Sequence, residues 1–259
     1  MDLGLAGKRV LVTGASRGIG LAVAEWFLKE GCELFMVSRT AKDLEASANK
    51  LASAYPKARV EWFAVDLSDD DAADRIHGWR PEIDILINNA GDIPSGTIDE
   101  VGPAAWREAW VVKVFGYIDL SRLYMAGMSS RPSGGVIVNV IGAAGEMLDA
   151  GYIAGSVGNA ALIAFTKTLG SNSIDKGVRV VGINPGPVDT DRMARILKKK
   201  ALEKLGDAGR WQELASAFPL GRSASVDEIA ATIIFLASPL SGYTSGTVIN
   251  VDGGITNKR

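Results

Sequence analysis

A glycine-rich turn that follows an apolar run constrains the fold of this chain more than any other feature. Residues 10–12 are Val-Leu-Val, and Gly14, Gly18 and Gly20 follow before an amphipathic segment begins. Glycine permits the positive φ angles of a tight turn, and its missing Cβ lets backbone N–H groups approach an anion at a helix N-terminus. The stretch predicts a strand, a phosphate-binding turn and a helix. No Lys-Ser or Lys-Thr pair follows the glycines, which argues against a P-loop nucleoside triphosphatase.

Strand and helix patterns alternate without a linker from Lys8 to about Val251, so we expect one domain over residues 1–259. Seven apolar strand-like runs between helical segments predict an α/β fold. The expected architecture is a doubly wound (Rossmann) sheet of about seven parallel strands with helices on both faces. In such a sheet the ligand crevice lies at the carboxyl ends of the strands.

Charge and composition limit the classes of partner and the location that we expect for the protein. The net charge of −2 provides no basic footprint for nucleic acid or an anionic membrane. The N-terminus lacks a signal-peptide pattern and no run of 18 uninterrupted apolar residues occurs, so we expect a cytoplasmic protein. The single cysteine, Cys32, is expected in the core, and no metal site is predicted. The single histidine, His77, lies in a polar segment that argues against a catalytic triad.

The second predicted strand, residues 33–37, ends in Ser38-Arg39, about 20 residues beyond the glycines. An acid at this point would bind the ribose 2′-hydroxyl of NAD, and here it is absent. Ser38, Arg39 and Arg17 instead offer a hydroxyl and two guanidinium groups, which suit a 2′-phosphate. The pattern predicts NADP(H) as the cofactor. The alternative is two solvated surface arginines.

Further motifs follow the glycine turn in order. Asn88-Asn89-Ala90-Gly91 ends a predicted strand over 83–87, Pro185-Gly186-x-Val188-x-Thr190 follows a strand over 178–184, and Asp252-Gly253-Gly254 ends the last strand. With Thr13-Gly14-x-x-x-Gly18-x-Gly20 they resemble the short-chain dehydrogenase/reductase family over nearly the whole chain. The resemblance and the chemistry above imply these cofactor-binding residues: Gly14, Ser16, Arg17, Gly18, Ile19, Gly20, Ser38, Arg39, Asp66, Leu67, Asn89, Ala90, Gly91, Pro185, Gly186, Val188 and Thr190. For Asp66, an N-cap of the following helix is an equally physical role.

The resemblance also implies an Asn-Ser-Tyr-Lys catalytic set, and all four of its positions are substituted in this chain. They hold Lys113, Gly142, Gly155 and Asn159 respectively. A glycine can neither donate a proton nor polarise a carbonyl, and losing a positioned acid costs about 10²–10⁴-fold in rate.

Two side chains offer a replacement for the lost proton chemistry. Tyr152 lies three residues before Gly155, close to one helical turn, and can direct its phenol into the vacated space. We expect Tyr152 as proton donor and Lys113 as its electrostatic helper. The alternative is that Tyr152 only lines a loop and Lys113 is exposed or ion-paired. Glu146 and Asp149 are other proton-transfer candidates, whereas Lys167 lies too far along the helix.

Residues 190–225 form an insertion where the resemblance places a substrate lid. Its first half is basic and predicts either a solvated helix face or contact with a phosphorylated or carboxylated substrate carrier such as an acyl-CoA. Its later apolar residues either line a pocket or pack the lid down. The two groups are Arg192, Arg195, Lys198, Lys199, Lys200 and Lys204, then Trp211, Leu214 and Phe218.

These observations favour an NADP(H)-dependent oxidoreductase that acts on a small alcohol or carbonyl substrate through an atypical active site. The lost catalytic positions leave open a catalytically silent NADP(H)-binding sensor or partner protein. Lyase or isomerase chemistry by the loop carboxylates is a third hypothesis. The resemblance further implies a homo-oligomer, a tetramer or dimer, formed through the long helical segment 103–128.

Overall fold

Seven parallel strands form one sheet in the computed structural model, which describes residues 2–258. Their order, β3-β2-β1-β4-β5-β6-β7, confirms the doubly wound parallel architecture expected from the sequence. The strands are β1 Arg9–Thr13, β2 Glu33–Ser38, β3 Val60–Ala64, β4 Ile85–Asn88, β5 Gly135–Val140, β6 Val178–Pro185 and β7 Thr247–Val251.

Helices cover both faces of the sheet. The first, second and last helices below pack on one face, and the third, fifth and sixth pack on the other. The helices are α1 Gly18–Lys29, α2 Ala41–Ala54, α3 Ala72–Trp79, α4 Pro103–Trp110, α5 Gly116–Ser129, α6 Ile153–Ser173, α7 Asp191–Leu205, α8 Trp211–Ala215 and α9 Val226–Ala237.

The central strand β1 shows why both faces are covered. Val10 and Val12 pack in the cluster that contains Phe27 of α1, whereas Leu11 packs in the opposite cluster with Leu120 of α5. All three strand residues are fully buried. A strand buried on both faces reads as a continuous apolar run, which is the pattern at residues 10–12.

The segment 103–128 is not one regular helix. A π-helical turn, Val111–Phe115, separates α4 from α5. Such turns insert an extra residue per turn and change which side chains face inward. Here the π turn directs Lys113 and Val114 into the protein while Phe115 remains half exposed.

Residues expected outside the site lie away from it. The Cys32 thiol is buried and donates to the Leu5 carbonyl oxygen at 3.2 Å. His77 of α3 is half-buried, with its ring 5.2 Å from that of Tyr124. Within residues 2–258, every helix is too short or too polar to cross a bilayer.

The position of the crevice follows from the strand order. β1 lies between β2 and β4, so the crossovers on its two sides run in opposite directions, and a crevice opens where β1 and β4 end. Gly14 follows β1 and Asn89 follows β4 at this point. The glycine turn and the Asn-Asn-Ala-Gly motif therefore face each other.

A buried arginine connects β6 to the end of α9. Arg179 of β6 is 7% exposed, and its guanidinium donates to the carbonyl oxygens of Leu236 at 2.8 Å and Ser238 at 2.9 Å. It reaches the Thr244 carbonyl oxygen at 3.4 Å. The last carbonyls of a helix have no partner within the helix, so a cation at the end of α9 satisfies them and complements the helix dipole.

We predict that Arg179→Met lowers the free energy of unfolding by about 2–5 kcal/mol, because buried carbonyl oxygens lose charged donors. Urea unfolding followed by circular dichroism measures the change. Arg122→Met, at an exposed position of α5, is the matched control and should leave stability nearly unchanged. Equal unfolding midpoints for the two variants would contradict this role of Arg179.

Candidate active site

A cleft of about 570 Å³ opens at the carboxyl ends of the strands. It brings together the turn after β1, the ends of β2 and β4, the segment after β6 and the first turn of α7. Every cofactor-binding residue expected from the sequence lines it except Gly20. We use the term reaction end for the part of the cleft that is lined by Lys113, Ile141, Gly142 and Arg192.

Gly20 contributes to the shape of the site through close packing rather than by lining the cleft. A Cβ at Gly20 would collide with the carbonyl oxygen of Gly14 and the side-chain amide of Asn89. The first turn of α1 therefore lies directly against both turns. This contact requires glycine at position 20 even though its atoms do not line the cleft.

The glycine turn fits a dinucleotide diphosphate. Gly14 and Gly18 have φ angles of +66° and +57°, which favour glycine. α1 begins at Gly18, Arg17 before it makes no side-chain capping bond, and the first turn carries no acidic residue. The first N–H groups of a helix lack intrahelical partners and form an anion site. An uncapped helix N-terminus in the cleft matches the needs of a nicotinamide dinucleotide.

Two guanidinium groups lie at the rim beside the end of β2. Ser38 Oγ lies 3.0 Å from Ser16 Oγ, and Arg17 and Arg39 are both exposed. Arg39 Nε is 3.8 Å from Asp66 Oδ2. Exposed guanidinium groups beside a hydroxyl are suited to a 2′-phosphate, because charge-assisted hydrogen bonds to phosphate are among the strongest in proteins.

The structure corrects one alternative for Asp66. α3 begins at Ala72, so Asp66 is too far upstream to be its N-cap. Its carboxylate instead accepts hydrogen bonds from the backbone N–H of Ser68 at 3.0 Å and from the Ser68 hydroxyl at 2.8 Å. This local turn presents Asp66 at the wall of the cleft.

Lys113 is the buried cation of the reaction end. Its side chain belongs to a residue that is 8% exposed, and Nζ donates to the Tyr117 hydroxyl at 2.9 Å and the Val140 carbonyl oxygen at 2.6 Å. Within residues 2–258 it forms no ion pair. Burial, with a smaller contribution from nearby Arg192, lowers the pKa of Lys113 to about 7. The interpretation of Lys113 as exposed or ion-paired is therefore wrong.

Gly142 leaves its part of the cleft wall without a side chain. Its φ is +142°, and a Cβ there would lie 3.0 Å from Asn159 Nδ2. Asn159 is 4% exposed, and its Oδ1 has no hydrogen-bond partner in the described part of the chain. The Asn159 amide thus fills the space behind Gly142.

Tyr152 lies across Gly155. A Cβ at Gly155 would collide with the Tyr152 ring, so the absence of a side chain at 155 is what makes room for the phenol. The Tyr152 hydroxyl accepts a hydrogen bond from Arg192 Nη2 at 3.2 Å. Lys113, expected as the electrostatic helper of Tyr152, forms no hydrogen bond with it among the described residues and bonds instead to Tyr117 and the Val140 carbonyl oxygen.

Arg192 joins three segments at the mouth of the cleft. From α7 it donates to Asp92 Oδ1 at 2.7 Å, to the Ile93 carbonyl oxygen at 3.0 Å and to Tyr152. The sequence predicted a basic lid but none of these three partners. Tyr117 was also missed, although its position four residues after Lys113 on one helical face is a usable signal.

The basic residues of the lid divide into two groups. Arg192 and Arg195 line the cleft. The lysines at 198, 199, 200 and 204 are exposed on the outer side of α7 and, in the described structure, none lines the cleft. These lysines thus correspond to the solvated helix face that was one of the two alternatives.

In the described part of the chain, the remaining candidate residues from the sequence analysis do not line the cleft. Glu146 accepts from Asn250 Nδ2 at 2.8 Å, and Asp149 accepts from the Gly151 N–H at 2.8 Å. Both carboxylates are held in exposed loop contacts. The other residues of this group are the exposed Lys167 and the half-buried Trp211, Leu214 and Phe218.

Comparison with known proteins extends over almost the whole chain. The family model described as "Enoyl-(Acyl carrier protein) reductase" matches residues 14–256. L-xylulose reductase of Bos taurus is 31% identical over 254 residues, 98% of each chain. Sorbitol dehydrogenase of Cereibacter sphaeroides is 31% identical, with 96% of this chain and 98% of that protein covered.

A solved structure shows the same architecture. L-sorbose reductase from Gluconobacter frateurii, complexed with NADPH and L-sorbose, matches with a TM-score of 0.92 and 33% identity over 100% of both chains. The sheet order, the crevice between the ends of β1 and β4, and these matches agree. The chain belongs to the short-chain dehydrogenase/reductase family.

Proposed function

We propose that the protein is an NADP(H)-dependent oxidoreductase that interconverts an alcohol and a carbonyl compound. The observation that carries the proposal is the cleft itself. One end has an uncapped helix N-terminus and two exposed guanidinium groups, Arg17 and Arg39, and the other end has the buried amine of Lys113. The cleft thus offers groups suited to phosphate binding and a buried amine suited to proton transfer in one cavity.

A polyhydroxy ketone and its polyol are the substrate class that the relatives favour. Two of them are named L-xylulose reductase and sorbitol dehydrogenase, and the matching solved structure contains L-sorbose. Arg192 and Arg195, which line the cleft, keep a CoA-linked carbonyl compound as a second group to test.

The bound cofactor supplies or accepts the hydride, and the protein supplies orientation and proton handling. We propose that Lys113 and Tyr152 together replace the substituted family positions Gly142, Gly155 and Asn159, Lys113 from the lining of the cleft and Tyr152 through its contact with Arg192. The low pKa of Lys113 supports a role in proton transfer near neutral pH. The Tyr152 phenol contributes through its hydrogen bond with Arg192, which lines the cleft.

The cofactor proposal predicts selective loss of NADPH affinity in Arg39→Ala. Removing one charged donor to the 2′-phosphate should raise the Kd for NADPH about 10- to 100-fold and leave the Kd for NADH unchanged. Fluorescence titration of bound nicotinamide measures both constants. Lys42→Ala changes the same charge on the neighbouring helix outside the cleft and is the matched control. An equal loss of affinity for both cofactors would argue against a 2′-phosphate site.

The catalytic proposal predicts turnover with NADPH for at least one ketose or 3-oxoacyl-CoA compound. Lys113→Ala should lower kcat/KM about 10²–10⁴-fold, as expected for loss of a positioned acid or base. Tyr152→Phe removes one hydrogen bond to a charged group and should lower it about 10- to 100-fold. Cofactor oxidation followed at its absorbance band measures the rates. Full activity of both variants would contradict the proposed pair.

A catalytically silent NADP(H)-binding protein is the second candidate, favoured by the bare backbone at Gly142 and Gly155. It predicts NADPH binding without turnover across a wide panel of ketoses, polyols and acyl-CoA compounds. Robust oxidation of NADPH with any panel member would exclude it.

We further propose a homo-oligomer, a tetramer or dimer, assembled through α4 and α5. Phe115 between them is 51% exposed, which supports burial of this face in an assembly. Sedimentation velocity of the wild type and Phe115→Asp distinguishes the states, since a charge in the interface should dissociate the assembly.

A further inference from the structure

Lys113 is held by the protein on two sides and open to the cleft on a third. Its stem lies against Gly91, where a Cβ would collide with the Lys113 side chain. Nζ donates to the hydroxyl of Tyr117 and to the carbonyl oxygen of Val140, the last residue of β5. An ammonium has three N–H donors, so one remains for a ligand in the cleft.

The neighbours of Lys113 do not compensate its charge. Tyr117 is fully buried and its own hydroxyl donates to Val140 at 2.9 Å. Both protein partners of Nζ are therefore neutral oxygens. A buried charge without a counter-ion favours release of a proton, which agrees with the pKa of about 7 for Lys113.

Tyr152 is less well placed to exchange a proton. Its ring occupies the space over Gly155, and it is absent from the residues that line the cleft in the described structure. Its hydroxyl oxygen already accepts from Arg192, which does line the cleft. Tyr152 is thus separated from the reaction space by the guanidinium that it supports.

We propose that Lys113 itself exchanges the proton with the substrate oxygen, and that Tyr152 is a positioning residue for Arg192. This inference rests on the proposed oxidoreductase function and assigns its acid and base. In the reduction direction, the carbonyl carbon would be reduced by two electrons when it accepts a hydride from a bound reduced nicotinamide dinucleotide. An N–H bond of the Lys113 ammonium breaks and an O–H bond forms on the substrate.

The remaining neutral amine is protonated again from solvent through the open cleft. In the oxidation direction the neutral amine accepts the hydroxyl proton of the alcohol. A group that serves as acid and base in the two directions works best when its pKa is near the operating pH.

Other charged groups also face the cleft. Their contribution to any pH dependence must be distinguished from that of Lys113. Arg192, Arg195 and Asp191 come from α7, Asp92 follows β4, and Glu108 comes from α4. On the other side, Tyr117 of α5 contacts Nζ directly. Variants at position 113 leave all of these groups in place.

The first test is the pH profile of kcat/KM for ketose reduction by the NADPH-loaded enzyme. The wild-type rate should fall above about pH 7, because the ammonium is then lost. Lys113→Met should lower the rate about 10²–10⁴-fold and abolish this dependence. Lys113→Arg keeps the charge but cannot release a proton near neutral pH, so it should be nearly as slow.

Two controls complete the profile. Tyr152→Phe should raise KM and keep the wild-type pH dependence, because it acts through Arg192. Lys167→Met, at an exposed site on α6, should leave the profile unchanged. If Tyr152→Phe removes the pH dependence while Lys113→Met retains it, the roles are reversed and the inference is overturned. A wild type that turns over no substrate would instead refute the proposed function.

The second test needs no substrate. Between pH 7 and 10.5 the unfolded lysine carries a proton that the buried Lys113 amine does not, so raising the pH favours the folded state. The urea midpoint of the wild type should therefore rise relative to that of Lys113→Met across this range. Retained NADPH binding shows that the variant is folded. A difference between midpoints that stays constant with pH would overturn the assignment of Lys113.

Discussion

The close contact between the turn after β1 and the segment after β4 is the constraint on which the site depends. The Asn89 side chain donates to the Thr13 carbonyl oxygen at 2.9 Å and the Gly14 carbonyl oxygen at 3.2 Å. The Thr13 hydroxyl accepts from the backbone N–H groups of Asn89 and Ala90. These bonds satisfy backbone groups where the strand ladder has ended. They also fix the distance between the turn after β1 and the segment after β4, which form two walls of the cleft where we expect the cofactor to bind.

A second set of buried bonds connects that part of the cleft to the reaction end. Asn88 Nδ2 donates to Asn139 Oδ1 at 2.9 Å, and Asn139 Nδ2 donates to Thr166 Oγ1 at 2.9 Å. The chain of bonds links β4, β5 and α6 inside the protein, where hydrogen bonds are electrostatically stronger than in water. Because Val140 at the end of β5 holds Lys113, the amine has a defined position relative to the glycine turn.

The two ends of the cleft differ in how far the sequence determines them. The glycine turn and the Asn-Asn-Ala-Gly motif are local patterns, and the strand order places them together without further information. The environment of Lys113 depends on the π turn and on Gly91 and Val140, which are remote in sequence, so its burial could not be predicted from spacing. The contact between Tyr152 and Arg192 spans 40 residues and had no sequence signal.

The two sides of α7 differ in their contacts, because Arg192 forms three hydrogen bonds on the inner side only. The inner surface of α7 is tied to the segments around Asp92 and Tyr152, so a change there alters the opening through which ligands pass. The outer surface carries an ion pair within one helix, Lys199 with Glu203, and exposed lysines. Surface charge can therefore be redesigned on the outer side of α7 to change solubility or crystal packing while the shape of the cleft is preserved.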